Sequence, residues 1–334
     1  MKFSAKVITT LFLAAALAVS ASAQTNTDIK KFENAITDVS QVLGKAMITN
    51  SAFGLNWSDA YIGQLIGSPP HFGIGASGGF TAIPGNKLDP IFKEFNDKGF
   101  DSLDLPVNFM PLPALAAELR LGGFLLPFDI GIKALPVPEQ TFEDFKIKYT
   151  MVGGDIRYAL MKESGRKPNI SVGVGLTYTN ADLSAALSGG ADIDLTDLGY
   201  SGDTLEIRNP QLNFSMQNTT LDLKVQVSKR FFIVTPYVGL GVSYGWSSID
   251  LGANTTITVN GSAVPSTVIN SMMDEYGISL SGTGLSKSGK YSGFGLRGFG
   301  GLSLNISVVK IDITGLYDVV NQNWGAGFGL RVQI

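Results

Sequence analysis

Residues 231–249 read FFIVTPYVGLGVSYGWSSI, a run without a single charged side chain. It is long enough to cross a bilayer as a helix. Its period says otherwise. Phe232, Val234, Val238, Leu240, Val242, Tyr244 and Trp246 alternate with Thr235, Tyr237, Gly239, Gly241, Ser243 and Gly245. A repeat of two belongs to a strand, and Pro236 with three glycines would weaken any helix.

The alternation recurs in ten segments: 71–82, 114–122, 128–133, 145–160, 169–180, 219–229, 232–248, 291–307, 309–319 and 323–334. In 169–180, Ile170, Val172, Val174, Leu176 and Tyr178 oppose Ser171, Gly173, Gly175, Thr177 and Thr179. In 145–160 the apolar phase changes between Met151 and Ile156, and Gly153-Gly154 is the expected site of a β-bulge. Short, partly basic links (123–127, 161–168, 229–231 and near 308) alternate with longer ones (83–113, 136–144, 181–218, 249–290 and, briefly, 320–322). Short turns on one side and long loops on the other describe an outer-membrane barrel.

Composition agrees. Only 16% of the 334 residues are charged while 44% are hydrophobic, and glycine numbers 40. Soluble chains carry about 25% charged residues. The chain has no Cys and a single His, His71, which excludes disulfide scaffolds, thiol catalysis and Cys-ligated zinc. A net charge of −3 offers no basic footprint for nucleic acid. No cofactor is expected.

Residues 1–23 read as a signal peptide. Lys2 and Lys6 precede an apolar run from Ile8 to Val19, and Ala21-Ser22-Ala23 is the cleavage site. Residues 24–70 form a separate segment before the barrel of 71–334. Ile29, Phe32, Ile36, Val39 and Leu43 fall at helical spacing, and an irregular stretch follows to Pro69-Pro70. Two placements stay open: a periplasmic helix under the barrel, or a plug in its lumen. Glycines on the inward faces, among them Gly73, Gly79, Gly173, Gly239, Gly245, Gly325 and Gly327, leave space for a plug, a ligand or water. The inward charges Glu118, Arg120, Asp129, Lys133, Arg157, Asp222, Lys224, Arg297, Asp312 and Arg331 carry both signs on the same strands. Paired networks are expected of them rather than an ion-selecting ring. Tyr178, Tyr244, Trp246, Tyr291, Tyr317 and Trp324 cluster at the long-loop ends as an aromatic girdle would.

Two long loops hold apolar helical patterns: Leu88, Ile91, Phe92 and Phe95; and Val268, Ile269, Met272, Met273 and Tyr276. With the stretch Asn50–Ala60 and the segment 28–70, these features resemble the FadL-like outer-membrane transporters of hydrophobic compounds. The resemblance implies an N-terminal hatch, passive passage of small hydrophobic solutes such as fatty acids, and hydrophobic contacts from Phe53, Leu55, Trp57, Phe92, Phe95, Met272 and Met273. That family has fourteen strands; 191–197 and 203–208 would raise the ten counted here to twelve. Its Asn-Pro-Ala hatch signature is absent, and Asn50-Ser51-Ala52 only echoes it.

Barrel enzymes need a nucleophile beside a base or acid, and His71, at the short-turn end of the first strand, is far from the long loops. The acidic stretch Asp182, Asp192, Asp194, Asp197, Asp203 and Glu206 fits no complete EF-hand loop. The expected molecule is an all-β transmembrane antiparallel barrel in the bacterial outer membrane, with both termini periplasmic and no catalytic or metal site. Its partners would be outer-membrane lipids, the outer-membrane assembly machinery and hydrophobic small molecules. A structural or adhesive surface barrel, or a small porin, is the alternative.

Overall fold

All ten alternating segments form strands in the computed structural model, which describes residues 26–66, 69–87, 109–142, 145–186, 190–194, 204–259, 261–263, 279–281 and 284–334. They are β1 (Phe72–Pro84), β2 (Phe109–Gly122), β3 (Phe128–Phe142), β4 (Phe145–Met161) and β5 (Asn169–Ala186). The second half is β6 (Thr204–Ser228), β7 (Val234–Val259), β8 (Gly284–Ile306), β9 (Val309–Asp318) and β10 (Asn323–Gln333). Each pairs antiparallel with the next, and β10 returns to β1 in the register Gly73↔Gln333 to Ala82↔Trp324. The ring is closed, so no strand edge is left at either end of the sheet.

Ten strands make the ring, not twelve or fourteen. The segment Gly190–Asp194 pairs with the far end of β6 and lengthens that hairpin without entering the wall. Spanning a bilayer takes roughly 9–11 residues per strand. β6, β7 and β8 have 25, 26 and 23, so they rise well past the membrane at the long-loop end.

The outward faces are apolar and exposed, among them Ile74, Leu115, Ile156, Val174, Leu223, Leu240, Phe294, Ile313 and Phe328. A band of this kind around a closed sheet is stable against hydrocarbon, not water. Phe80, Phe109 and Trp324 pack together at its upper border, as do Tyr244, Trp246 and Phe294. Tyr291 departs from the expected girdle. It faces the lumen, where a Cβ on Gly44 would collide with its ring.

Two further expectations change. Pairing through Gly153 and Gly154 is uninterrupted on both sides, so no bulge lies there. Instead the upper barrel is apolar inside: Met151 is buried, and Ile147 and Tyr149 pack inward on a cluster formed by Met47, Leu183, Phe214, Met216 and Ile249. The phase changes because the lumen's filling changes. The link 136–144 is mostly strand, since β3 and β4 pair up to Phe142↔Phe145.

The filling is the N-terminal segment. Helix α1 (Asn26–Asn50), about 37 Å long at 1.5 Å per residue, is exposed at Thr37 and Asp38 and fully buried from Ala46 to Asn50. Gly44 lies against Tyr291, and Ile48, one turn on, against Gly245 of β7 and Gly295, deeper along β8. The chain therefore descends from the long-loop mouth and leaves at the short-turn mouth, where His71 N donates to Gln64 O. Ile334 is at that same lower end. Within the described residues, Asn26 and Ile334 lie toward opposite mouths.

An eight-stranded barrel is filled by its own side chains, so two more strands admit a helix only if the wall is thin inside. Glycine makes it thin. A Cβ on Gly73 would lie 2.8 Å from the Trp57 ring, on Gly325 2.7 Å from Phe53, and on Gly327 2.9 Å from Phe53. Gly315 faces open space. We expect Gly327→Ala to destabilise the barrel by about 1–3 kcal/mol in urea unfolding in detergent, and Phe53→Leu to recover part of the loss. Gly315→Ala should leave the midpoint unchanged.

Candidate functional site

Below α1 the chain becomes irregular. Gly54 and Leu55 take positive φ (79° and 59°), which turns the backbone and ends any helical pairing. Irregular backbone at membrane depth is tolerated only where protein satisfies it. Here the barrel's inward cations do so. Lys133 Nζ donates to Ser51 O and Phe53 O at 2.6 Å. Arg120 and Lys224 reach Leu55 O, Gln226 reaches Trp57 O at 2.7 Å, and Arg157 reaches Asp59 O at 2.8 Å.

The same cations pair among themselves through carboxylates. Asp129 binds both Arg120 and Arg157, and Asp155 binds Arg120 at 2.7 Å and Lys224 at 2.8 Å. Arg297 grips Asp222 with two nitrogens, at 2.6 and 2.8 Å. Lower down, Asp59 of the plug meets Lys310 at 2.6 Å and Arg331 at 3.1 Å. The inward charges thus form paired networks, as their mixed signs on single strands suggested. Asp59, Asp155 and Lys310 belong to these networks and were missed. Asp155 lies at the apolar phase change, and Asp59 is two residues from Trp57 on a stretch with no period to assign its face.

Of the residues expected to contact solutes, Phe53, Leu55 and Trp57 are brought together, all buried in the plug. Their side chains are spent on the wall. Trp57 Nε1 donates to Glu118 at 2.5 Å, and the guanidinium groups of Arg331 and Arg120 stand 4.6 and 5.6 Å from its ring. Phe92, Phe95, Met272 and Met273 lie outside the described residues, as do the rest of both loop patterns and residues 1–23. The acidic residues from Asp192 to Glu206 have no described side chains. A cavity of about 30 Å³ lies between Phe53, Trp57 and the glycine-rich faces of β1 and β10. It has the size of a water molecule or two.

Among the described residues, the wall is interrupted between β2 and β3. β2 is paired with β1 along its whole length, from Phe109 to Leu121, and β3 with β4 up to Phe142. Between them, however, β2 and β3 pair only from Ala117↔Ala134 down to Gly122↔Asp129. Residues 109–116 and 135–142 have no partner across the seam. Both stretches carry prolines two residues apart, Pro111 and Pro113 on one and Pro136 and Pro138 on the other. Residues two apart aim their N–H groups to the same side, and proline is tolerated in a sheet only where that side lacks a partner. The four prolines cannot donate to a ladder, and Pro138 also lies in the bulge where β3 and β4 shift register between Val137 and Gln140. Behind the seam Leu112, Ile147 and Tyr149 pack on the apolar cluster around Met47. Asn50, the last residue of α1, donates to Leu112 O at 3.0 Å and Pro113 O at 3.2 Å.

At the long-loop rim, burial, and then the charge of Lys45, lowers the pKa of Lys87, which donates to Asn321 O. His71 Nδ1 lies 3.3 Å from Ile334 O at the other end. Removing the plug's main cation should be costly. We expect Lys133→Met, which strands two buried carbonyls, to lower stability in detergent by about 3 kcal/mol. Lys146→Met, on an exposed pair with Glu139, should cost under about 1 kcal/mol.

Solved structures share the barrel at great distance. The outer-membrane protease OmpT of Escherichia coli is 9% identical, with a TM-score of 0.40 over 80% of this chain and 98% of that one. The attachment invasion locus protein Ail of Yersinia pestis is 10% identical, TM-score 0.29, over 79% and 95%. The Ralstonia pickettii toluene transporter TbuX is 13% identical, TM-score 0.25, over 79% and 89%. Likeness at this level says nothing about activity. No curated protein matches the chain. A family model does match, over residues 71–330, which spans the barrel and leaves α1 and the plug outside it. The chain belongs to DUF6588, a family of unknown function.

Proposed function

We propose that this chain is an outer-membrane barrel that passes small hydrophobic solutes, fatty acids among them, from the long-loop mouth sideways into the bilayer. The observation that carries the reading is the unpaired seam between 109–116 and 135–142, which opens the wall beside an apolar interior. Beneath that interior the ion-paired plug blocks a straight path, so the seam is the route that does not require breaking buried charge pairs. Leu43 and Met47 of α1 occupy the interior in the resting state. A solute takes their place as the helix end shifts, and Asn50 holds that end against the seam. Export behind a cleaved segment 1–23, with the short turns in the periplasm, belongs to the same reading.

A closed structural barrel is the second reading, favoured by the 30 Å³ cavity. Two variants separate the readings. Replacing Pro111, Pro113, Pro136 and Pro138 with Thr restores donors along the seam; we expect it to close the wall and cut uptake of a hydrophobic fluorescent probe severalfold in cells. A disulfide between Ala60→Cys and Ser228→Cys, whose native backbone N and Oγ are 2.9 Å apart, pins the lower plug; uptake should persist. Uptake abolished by the disulfide and untouched by the Thr variant would mean a vertical pore. No probe uptake above a barrel-free strain would mean a structural role.

A further inference from the structure

The short-turn rim carries a surface of a different kind. Short links at this end were expected to be partly basic, and 162–168 is. So is 229–231, with Lys229 and Arg230, but its tip and the turn 124–127 are apolar. In the turn 124–127, Phe124, Leu125 and Leu126 are all exposed, Leu125 to 84%. Phe231 and Val234 exchange both backbone hydrogen bonds, at 2.7 and 2.9 Å, which leaves Phe232 and Ile233 as a two-residue turn. Phe232 takes a φ of 59° and is 97% exposed. A two-residue turn with positive φ at its first position favours glycine there. An aromatic side chain in a strained position, touching almost nothing of its own chain, is not explained by the fold.

We propose that this rim is seated in the headgroup–acyl boundary of an anionic phospholipid leaflet, with Phe124–Leu126 and Phe231–Ile233 inserted and Arg166 and Lys167 on lipid phosphates. Continuity is the first argument. Leu121 and Ile130 lead the outward apolar band into one turn, and Val238, Pro236 and Val234 lead it along β7 into the other, so on these strands the surface that meets hydrocarbon continues onto the turn tips. Chemistry is the second. The six inserted side chains have no polar atom with which to specify a protein partner, and they match the apolar side of an interface. Charge is the third. Arg166 and Lys167 are exposed on the intervening turn, while its one acid, Glu163, accepts from Arg230 N and lies 4.0 Å from Lys229. Free cations beside apolar wedges suit anionic headgroups.

The chain has no Cys, so single spin labels report cleanly. Leu125→Cys, Phe232→Cys and, in the polar turn, Ser164→Cys would be labelled in the full chain. The protein would be reconstituted in phosphatidylethanolamine–phosphatidylglycerol vesicles, with folding checked by heat-modifiable gel mobility. Power saturation should find the labels at 125 and 232 more accessible to oxygen than to a nickel chelate, and the label at 164 the reverse. Nickel access at 125 and 232 equal to that at 164 would overturn the proposal. So would spin–spin broadening that disappears on dilution with unlabelled chain, which would make the rim a contact between copies. If Phe232→Cys fails to fold, Leu125→Cys decides alone. Arg166→Gln with Lys167→Gln should raise nickel access at 125; no change would remove the cations from the account.

Discussion

The structure depends on how the backbone of residues 51–59 is satisfied. This stretch is neither helix nor strand, yet it runs through the centre of a barrel whose outer face requires lipid. Its carbonyl groups lie buried among protein, and an unmet polar group at that depth is costly. Lys133, Arg120, Lys224, Gln226 and Arg157 supply the donors. The four cations among them are themselves too expensive to bury alone, which accounts for Asp129, Asp155 and Asp222 between them. Plug and wall are one electrostatic unit, and neither has a satisfied interior without the other.

Ring size and glycine follow from the same requirement. Ten strands leave a lumen only a little wider than one that side chains fill. A helix and an irregular chain fit inside because the facing positions lack a Cβ where Phe53, Trp57 and Ile48 press on the wall. Higher up, where α1 presents Leu43 and Met47, the wall answers with Leu183, Phe214, Met216 and Ile249. The lumen is thus apolar over its upper part and ionic beneath. The seam between β2 and β3 opens beside the apolar part, which is what gives it functional interest.

Much of this was legible along the chain, for a physical reason. A strand between lipid and lumen has two faces of opposite character, so its period, its orientation and its ten inward charges can be read from single residues. Tyr291 shows the limit. An aromatic residue near a strand end suits a girdle, but only the position of Gly44 shows that it faces inward. The apolar phase change at 147–156 was likewise visible and misattributed to the backbone, because nothing local says that the interior changes from ionic to apolar at that height. Four prolines in two pairs were present at the seam from the start. Their meaning required knowing that β2 and β3 are neighbours there.

The sequence by itself determined that a lipid-facing antiparallel barrel forms, since two-residue alternation with so few charges suits a wall between hydrocarbon and lumen; that ten strands close it was settled by the pairing. Only the tertiary structure decided what fills it. Helical spacing in 29–43 is equally good for a helix outside the barrel, and glycine equally good for water. The choice rests on contacts between residues far apart in the chain, such as Phe53 with Gly325 and Asp59 with Lys310. A pattern of period two records which face a residue occupies; it holds no record of what stands opposite.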